Sequence, residues 1–506
     1  MKNEYILQIG QRTTVSFDTK RGAEIYRRSM TVLLQCAISE LFPDFKVQIG
    51  QSLMNGYYFE MPSDERFPPH FIRDVTKRIR KIVKNNDKFH KEKVDRSHAV
   101  SLYKKKGRHD KARAVASLDT KKIDLIFLRD YFDYMLAECA VSTGCLKTFK
   151  LIRYKHGFIL QFPVYGNAMK LPDDASRQEK LYRSHIESRN WNRILGIKHV
   201  PDLNRAIADG SISTIIKVQE AFHEKKIAYI ADKIKSFFPK KRIIFVAGPS
   251  SSGKTTFLKR LGVQIRANGM IPEEICLDDY FVQRSKTPRG SDGEYDFESV
   301  EALDLDLFSR NMSSLLSGRH TVLPKFDFKR GCRECDGRGI KLSDNSVMLV
   351  EGIHGLNPAI LQCVELKADY KIFVSALTQL CIDNDTRIFT SDSRLMRRII
   401  RDHLFRGYSA VETINRFPDV RRGEDKNIFP YQDNADVFFN SSLIYEQAVL
   451  KPFISKLLKD IKRGQVEYYE ANRLLKYIDF FDALSPDEVP QVSILREFVG
   501  ESAFRY

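Results

Sequence analysis

From about residue 240 to 465, short apolar runs alternate with longer stretches of helical periodicity, which predicts βαβ units on a parallel sheet. Arg242-Ile243-Ile244-Phe245-Val246-Ala247 reads as a buried parallel strand, and Phe257 to Val263 has apolar residues at helical spacing soon after it. Two more strands, Glu274-Ile275-Cys276-Leu277 and Val347-Met348-Leu349-Val350, each run into an acidic residue. Ser393 to Asp402 reads as a helix with Arg394, Arg398 and Arg401 on one face and Arg397 adjacent. Upstream the pattern changes. Ser29 to Ile38 predicts a buried helix ended before Pro43, whereas Gly56 to Met61 and Gly157 to Phe162 predict strands stopped by Pro62 and Pro163. The chain thus divides into an α+β region over 1–165, a charged helical linker over 166–238, an α/β region over 239–465 and a tail over 466–506 with no informative periodicity.

Composition narrows the class. With 42% hydrophobic and 29% charged residues, the chain resembles a soluble globular protein of two or three domains. No run of about 18 apolar residues suggests a membrane span, and the first residues lack the apolar core of a signal peptide. Eight scattered cysteines suit reduced cytosolic thiols, so a cytoplasmic location with no membrane partner is expected. Cys332 and Cys335 form one C-x-x-C without a second pair, which reads as a loop with two free thiols. The net charge of +18 concentrates between Arg73 and Lys122, where about 18 basic side chains face roughly 6 acidic ones. Weak RNA binding through that segment is one expectation; a solvated basic face is the other, since regular aromatic spacing is missing.

The candidate chemistry begins at Gly248-Pro249-Ser250-Ser251-Ser252-Gly253-Lys254-Thr255-Thr256, which fits the G-x-x-x-x-G-K-[ST] pattern of a phosphate-cradling loop. Gly248 and Gly253 can take backbone angles that turn successive N–H groups inward. Ser250, Ser251, Ser252 and Thr256 complete the expected ATP-binding loop; Lys254 faces the β- and γ-phosphates, and the Thr255 hydroxyl is a Mg²⁺ ligand. Asp278, at the carboxyl end of the second strand, is placed to accept a proton from a substrate hydroxyl, with helix capping as the structural alternative. Glu351 closes the third strand, where a carboxylate holds Mg²⁺ directly or through water. Four clustered guanidiniums repel unless an anion compensates them, and a transferring phosphoryl group is such an anion.

These pieces, with Leu277-Asp278-Asp279-Tyr280-Phe281, Gly293 to Glu298, Phe326-Asp327-Phe328 and Val350-Glu351-Gly352-Ile353, occur in the order found in uridine kinases. Residues 240–465 resemble the phosphoribulokinase/uridine kinase family, and Val489 to Phe498 resembles the tail of its long bacterial-type branch. The resemblance implies a P-loop kinase fold with Asp278 as base and Lys254 as a catalytic cation. It also implies Tyr280, Asp296, Phe297, Glu301, Phe326, Asp327 and Phe328 near the nucleoside, and Arg394 and Arg397 as lid residues closing on ATP. Glu301 stands where pyrimidine-specific relatives carry aspartate. The first 165 residues resemble the editing-type second additional domain of threonyl-tRNA synthetases, through Glu40-Leu41-Phe42-Pro43, Gly56-Tyr57-Tyr58-Phe59 and Val141-Ser142-Thr143-Gly144. Its metal-ligand positions map to Arg28, Val32, Met135 and Cys139, so zinc binding and editing are expected to be absent.

The resulting expectation is an ATP- and Mg²⁺-dependent kinase for the 5′-hydroxyl of a ribonucleoside, uridine or cytidine, acting as a homo-oligomer. Another small-molecule kinase of the family, or an ATP-switched RNA-binding regulator, remains the alternative.

Overall fold

The computed structural model describes residues 6–9, 13–61, 66–172, 178–290, 293, 295–327, 330–334, 337–364 and 369–506. The α/β region is built on five parallel strands in the spatial order Ile271–Cys276, Ser346–Glu351, Ile243–Ala247, Asp369–Ser375, Val437–Asn440. The central strand, Ile243–Ala247, is buried along its whole length, which explains its uninterrupted apolar run. Chain order reverses around it, so a crevice opens beyond its carboxyl end, where open α/β sheets place their ligands. The helix Lys254–Ala267 starts there and packs Phe257, Leu258, Leu261 and Ile265 against the sheet. Each such buried side chain contributes about 1.5–3 kcal/mol relative to exposure.

In the N-terminal region the helix Lys20–Leu41 shares a hydrophobic core with a four-stranded antiparallel sheet in the order Gln48–Leu53, Gly56–Glu60, Gly157–Gln161, Lys150–Tyr154. Thr19 starts the helix by accepting a hydrogen bond from the Gly22 N–H, and Ile25, Tyr26, Met30 and Leu33 form its buried stripe. Residues 56–60 and 157–161 pair directly, and no Cβ fits at Gly157, where it would lie 2.0 Å from the Phe59 carbonyl oxygen. A second, three-stranded sheet spans His90–Asp95, Lys122–Leu128 and Tyr131–Tyr134. Val94, Ile123, Leu125, Phe132 and Tyr134 on one face share a hydrophobic cluster with the helix Ile212–Phe237 and with the α/β region, while Ile126, Leu128 and Tyr131 join the cluster of the Lys20–Leu41 helix. Among the described residues, no helix is long and apolar enough to cross a membrane.

The two regions are joined by a segment from the α/β side, Cys381 to Arg387. Lys111 is fully buried there, 2.9 Å from Asp133, 3.1 Å from Asp383 and 3.3 Å from Asp385. Arg108 lies 3.1 Å from Asp385, Gln35 donates to the same carboxylate at 2.6 Å, and the Ile49 N–H donates to the Asn384 carbonyl at 2.8 Å. Part of the basic run between Arg73 and Lys122 is therefore engaged inside the molecule. Burial opposes the charge on Lys111, but three carboxylates raise its pKa. Replacing Lys111 with methionine leaves buried carboxylates short of a cation, which costs about 3–5 kcal/mol. The urea midpoint of the full chain should fall accordingly, and an unchanged midpoint would show that this cluster does not brace the joint.

Candidate active site

The phosphate loop leaves the carboxyl end of the central strand with Gly248 pressed against the neighbouring strand: a Cβ there would lie 2.0 Å from the Val374 carbonyl oxygen. Ser251 (φ 58°) and Gly253 (φ 81°) adopt left-handed backbone, and Gly253 caps the helix Lys254–Ala267. That turn directs the first N–H groups of the helix, and its positive dipole end, into the crevice. Lys254 is 8% exposed, with Nζ 3.6 Å from Glu351 Oε1. Thr255 is half-buried in the same first turn.

Three charged groups converge here. Burial raises the Asp278 pKa; Lys254 opposes that rise and Asp279 adds to it. Burial likewise pushes the Glu351 carboxyl up to about 7, against Lys254 and with Asp278. Two desolvated carboxylates beside one lysine, with the Thr255 hydroxyl close in sequence to that lysine, form a hard-oxygen donor set suited to Mg²⁺. Glu298, quoted within a motif but given no role from sequence, faces the same charges. Burial, reinforced by Glu424 and Asp278, pushes it to about 8, and its Oε2 is shielded from solvent without a partner.

The arginine helix forms as expected, over Thr390–Arg401, but its balancing anions belong to the chain. Arg394 is fully buried in a bidentate pair with Glu424, and its Nε donates to the Ser250 carbonyl at 2.8 Å. Arg397 is equally buried; Nε and Nη2 each donate to Glu446 at 2.6 Å, and Nη2 also donates to the Ser441 carbonyl at 3.1 Å. The two arginines expected to act as lid residues are thus both buried behind the loop and paired with carboxylates. Arg398 reaches the Ser250 hydroxyl at 3.0 Å, and Arg401 and Arg406 act electrostatically on Asp278 while sharing Asp402 at 2.7 and 3.7 Å.

Two carboxylates absent from the sequence-based site touch the loop itself. Glu424 accepts the Ser250 N–H at 3.2 Å. Glu497, from the C-terminal tail, accepts the Thr256 N–H at 3.1 Å and its hydroxyl at 2.7 Å. The tail is seated firmly: Ile494 fills the space a Gly253 side chain would need, Phe498 lies 4.9 Å under Arg397, and the Tyr506 hydroxyl is 2.8 Å from Thr256 Oγ1. No residue spacing announces these contacts. The available signal was chemical, a carboxylate in a tail with apolar neighbours.

The expected nucleoside contacts are partly structural. Tyr280 is buried, edge-on to Phe308, and its hydroxyl accepts from Asn311 at 3.3 Å; burial pushes its pKa to about 12. Phe326 packs on Phe281 at 5.7 Å, and Asp279 fixes its backbone by accepting its N–H at 3.2 Å. Phe297 is exposed, 6.3 Å from Phe281, while Asp296 accepts the Glu298 N–H at 3.1 Å. Asp327 accepts the Arg330 N–H at 3.0 Å. Glu301 accepts the Ser299 hydroxyl, which with the local backbone keeps its pKa low. Phe328 and Cys335 lie outside the described residues. In the N-terminal region, Arg28, Val32, Met135 and Cys139 line one common cavity. Among the described residues, no group of three or more His, Cys, Asp or Glu side chains is arranged to hold a metal ion.

Fold and loop together define a P-loop phosphotransferase architecture. Residues 243–443 match the Phosphoribulokinase / Uridine kinase family, and the C-terminal region has a kinase fold of that type. A solved structure described as a possible uridine kinase from Bacillus stearothermophilus is similar at 18% identity and a TM-score of 0.30, covering 43% of this chain and 98% of that one. The N-terminal region is similar to threonine–tRNA ligases. That of Syntrophotalea carbinolica is 30% identical over 148 residues, 29% of this chain and 23% of the ligase. That of Rickettsia akari is 33% identical over 131 residues, 26% of this chain and 21% of the ligase. The chain thus spans under a quarter of the length of either ligase.

Two outcomes test this geometry. A Glu298 carboxyl raised to about 8 favours the neutral form in the folded chain, so its stabilising contribution is present below about pH 4.5 and is lost as pH rises through 8. Glu298→Gln should therefore lose less melting temperature than wild type between pH 5 and pH 9; parallel losses would remove Glu298 from the cluster. Glu497 occupies the Thr256 N–H and hydroxyl at the start of the loop helix. Replacing it with alanine should tighten ATP binding by about tenfold, the worth of one charge-assisted hydrogen bond; calorimetry showing weaker binding would make Glu497 part of the ATP site.

Proposed function

We propose that this chain transfers the γ-phosphoryl group of ATP to the 5′-hydroxyl of a ribonucleoside, uridine or cytidine. The observation that carries the reading is the convergence of Lys254, Asp278 and Glu351 at the carboxyl ends of three adjacent parallel strands. The phosphate loop and the start of the Lys254–Ala267 helix offer N–H donors to the phosphate chain, and Lys254 adds a point charge. Asp278, made more basic by burial, takes the proton from the attacking hydroxyl. Arg398, Arg401 and Arg406 carry positive charge to the mouth of the crevice, where it offsets charge gathering on the transferring group. Arg394 and Arg397 hold the loop in shape as positioning residues. Thr255 and Glu351 would hold Mg²⁺, which when bound neutralises phosphate charge. The exposed ring of Phe297 supplies surface for the nucleoside, with the buried Tyr280 and Phe326 supporting the wall beneath it, and the family match supports a small hydroxyl acceptor.

Asp278→Asn keeps the shape of the side chain and removes its basicity. General-base catalysis accounts for about 10²–10⁴-fold in rate, so turnover with uridine should drop by that factor while ATP affinity changes little. Coupled-assay turnover close to wild type would exclude Asp278 as the base.

A further inference from the structure

A cavity of about 610 Å³ lies between the helix Lys20–Leu41 and the segments around Arg387, Arg421 and Arg473. Its charges are unevenly matched. Asp392 is held by Arg473 at 2.7 and 2.8 Å, and Asp133 and Asp385 by Lys111 at 2.9 and 3.3 Å. Asp425 lies 3.3 Å from Arg421, and Glu24 lies 3.8 Å from Lys20. Three lining guanidiniums, those of Arg27, Arg28 and Arg387, have no carboxylate within ion-pair distance among the described residues and bond only neutral acceptors. Arg27 donates to Asn55 Oδ1 at 3.4 Å and stacks over Phe162 at 5.6 Å. Arg28 donates to the Glu138 carbonyl. Arg387 is 4% exposed; it donates to the Gly50 carbonyl at 2.5 Å, Gln51 Oε1 at 3.2 Å and Ser52 Oγ at 2.6 Å, and stacks on Phe389 at 4.7 Å.

A buried guanidinium without a counter-anion is unfavourable, and burial lowers the pKa of Arg387. Arg27 and Arg387 present a face to an aromatic ring, which leaves N–H edges suited to a phosphoryl group. Pockets of about 300–1,000 Å³ hold small-molecule ligands. We infer that this cavity is a second anion site, binding the phosphate chain of a small phosphate ester of up to nucleotide size through Arg27, Arg28 and Arg387. Its occupant replaces the missing counter-anion of the three arginines, and the cavity also reaches Pro249 and Arg394, on the back of the phosphate loop. The inference does not depend on which hydroxyl compound the kinase site accepts.

Because guanidiniums read phosphate oxygens and not a base or sugar, inorganic tripolyphosphate serves as the probe. Calorimetric titration of the full chain should show two sites per chain. Lys254→Ala should weaken one of them, at the phosphate loop, and leave the other. Arg27→Gln combined with Arg28→Gln should weaken the second by about tenfold or more, the loss expected when charge-assisted hydrogen bonds disappear, while the loop site keeps its affinity and so reports a folded chain. A single site on the wild-type chain overturns the inference without reference to any variant. So does a second site whose affinity the arginine substitutions leave unchanged.

Discussion

The phosphate loop and the helix behind it concentrate positive charge that must be answered within a closed fold. The N–H groups at the start of the Lys254–Ala267 helix, Lys254 itself and the Thr390–Arg401 helix all crowd one end of the sheet. Like charges at that spacing would force the elements apart. Buried carboxylates prevent this: Glu424 ties Arg394 to the Ser250 N–H, Glu446 holds Arg397, and Asp402 gathers Arg398 and Arg401. The loop is thus preorganised by pairs whose partners come from three later segments. Truncating either partner of such a pair would leave an uncompensated charge in the interior.

The same constraint links the N-terminal region to the kinase chemistry. The segment Cys381 to Arg387 enters the N-terminal region, binds Lys111 there, and leads within a few residues into the arginine helix that grips Ser250. One continuous chain segment therefore connects the Lys111 cluster to the phosphate loop, with an ion pair at each end. The C-terminal tail closes the other side, with Glu497 on Thr256 and Ile494 against Gly253. Long-range contacts, not the loop's own sequence, set its environment.

Much of the scaffold was legible along the chain. The strands around Ile244 and Leu349 are buried on both faces, so each is a continuous apolar run, whereas Ile271–Cys276, at the sheet edge, buries only Pro272 and Ile275. The loop follows from two glycines and a lysine at fixed offsets, and Asp278 and Glu351 from their places at strand ends. The four mapped positions Arg28, Val32, Met135 and Cys139 do meet at one cavity. Glu424, Glu446 and Glu497 were not legible, because a helix-borne or tail-borne glutamate has no spacing that separates a buried partner from a solvated one. The carboxylate partners of Arg394 and Arg397 were hidden for the matching reason: a one-sided row of arginines looks free until the opposing carboxylates are known.

Sequence by itself determined the local features of this protein, namely the parallel-sheet periodicity, the phosphate loop, the acidic residues at strand ends and the arginine-rich helix, since each rests on neighbours a few residues apart. Tertiary structure alone decided which charges are neutralised and which stay free. Arg394 with Glu424, Thr256 with Glu497 and Lys111 with Asp383 are separated by 30, 241 and 272 residues. The Coulomb energy of such pairs depends on distance and burial in space, which no local pattern encodes.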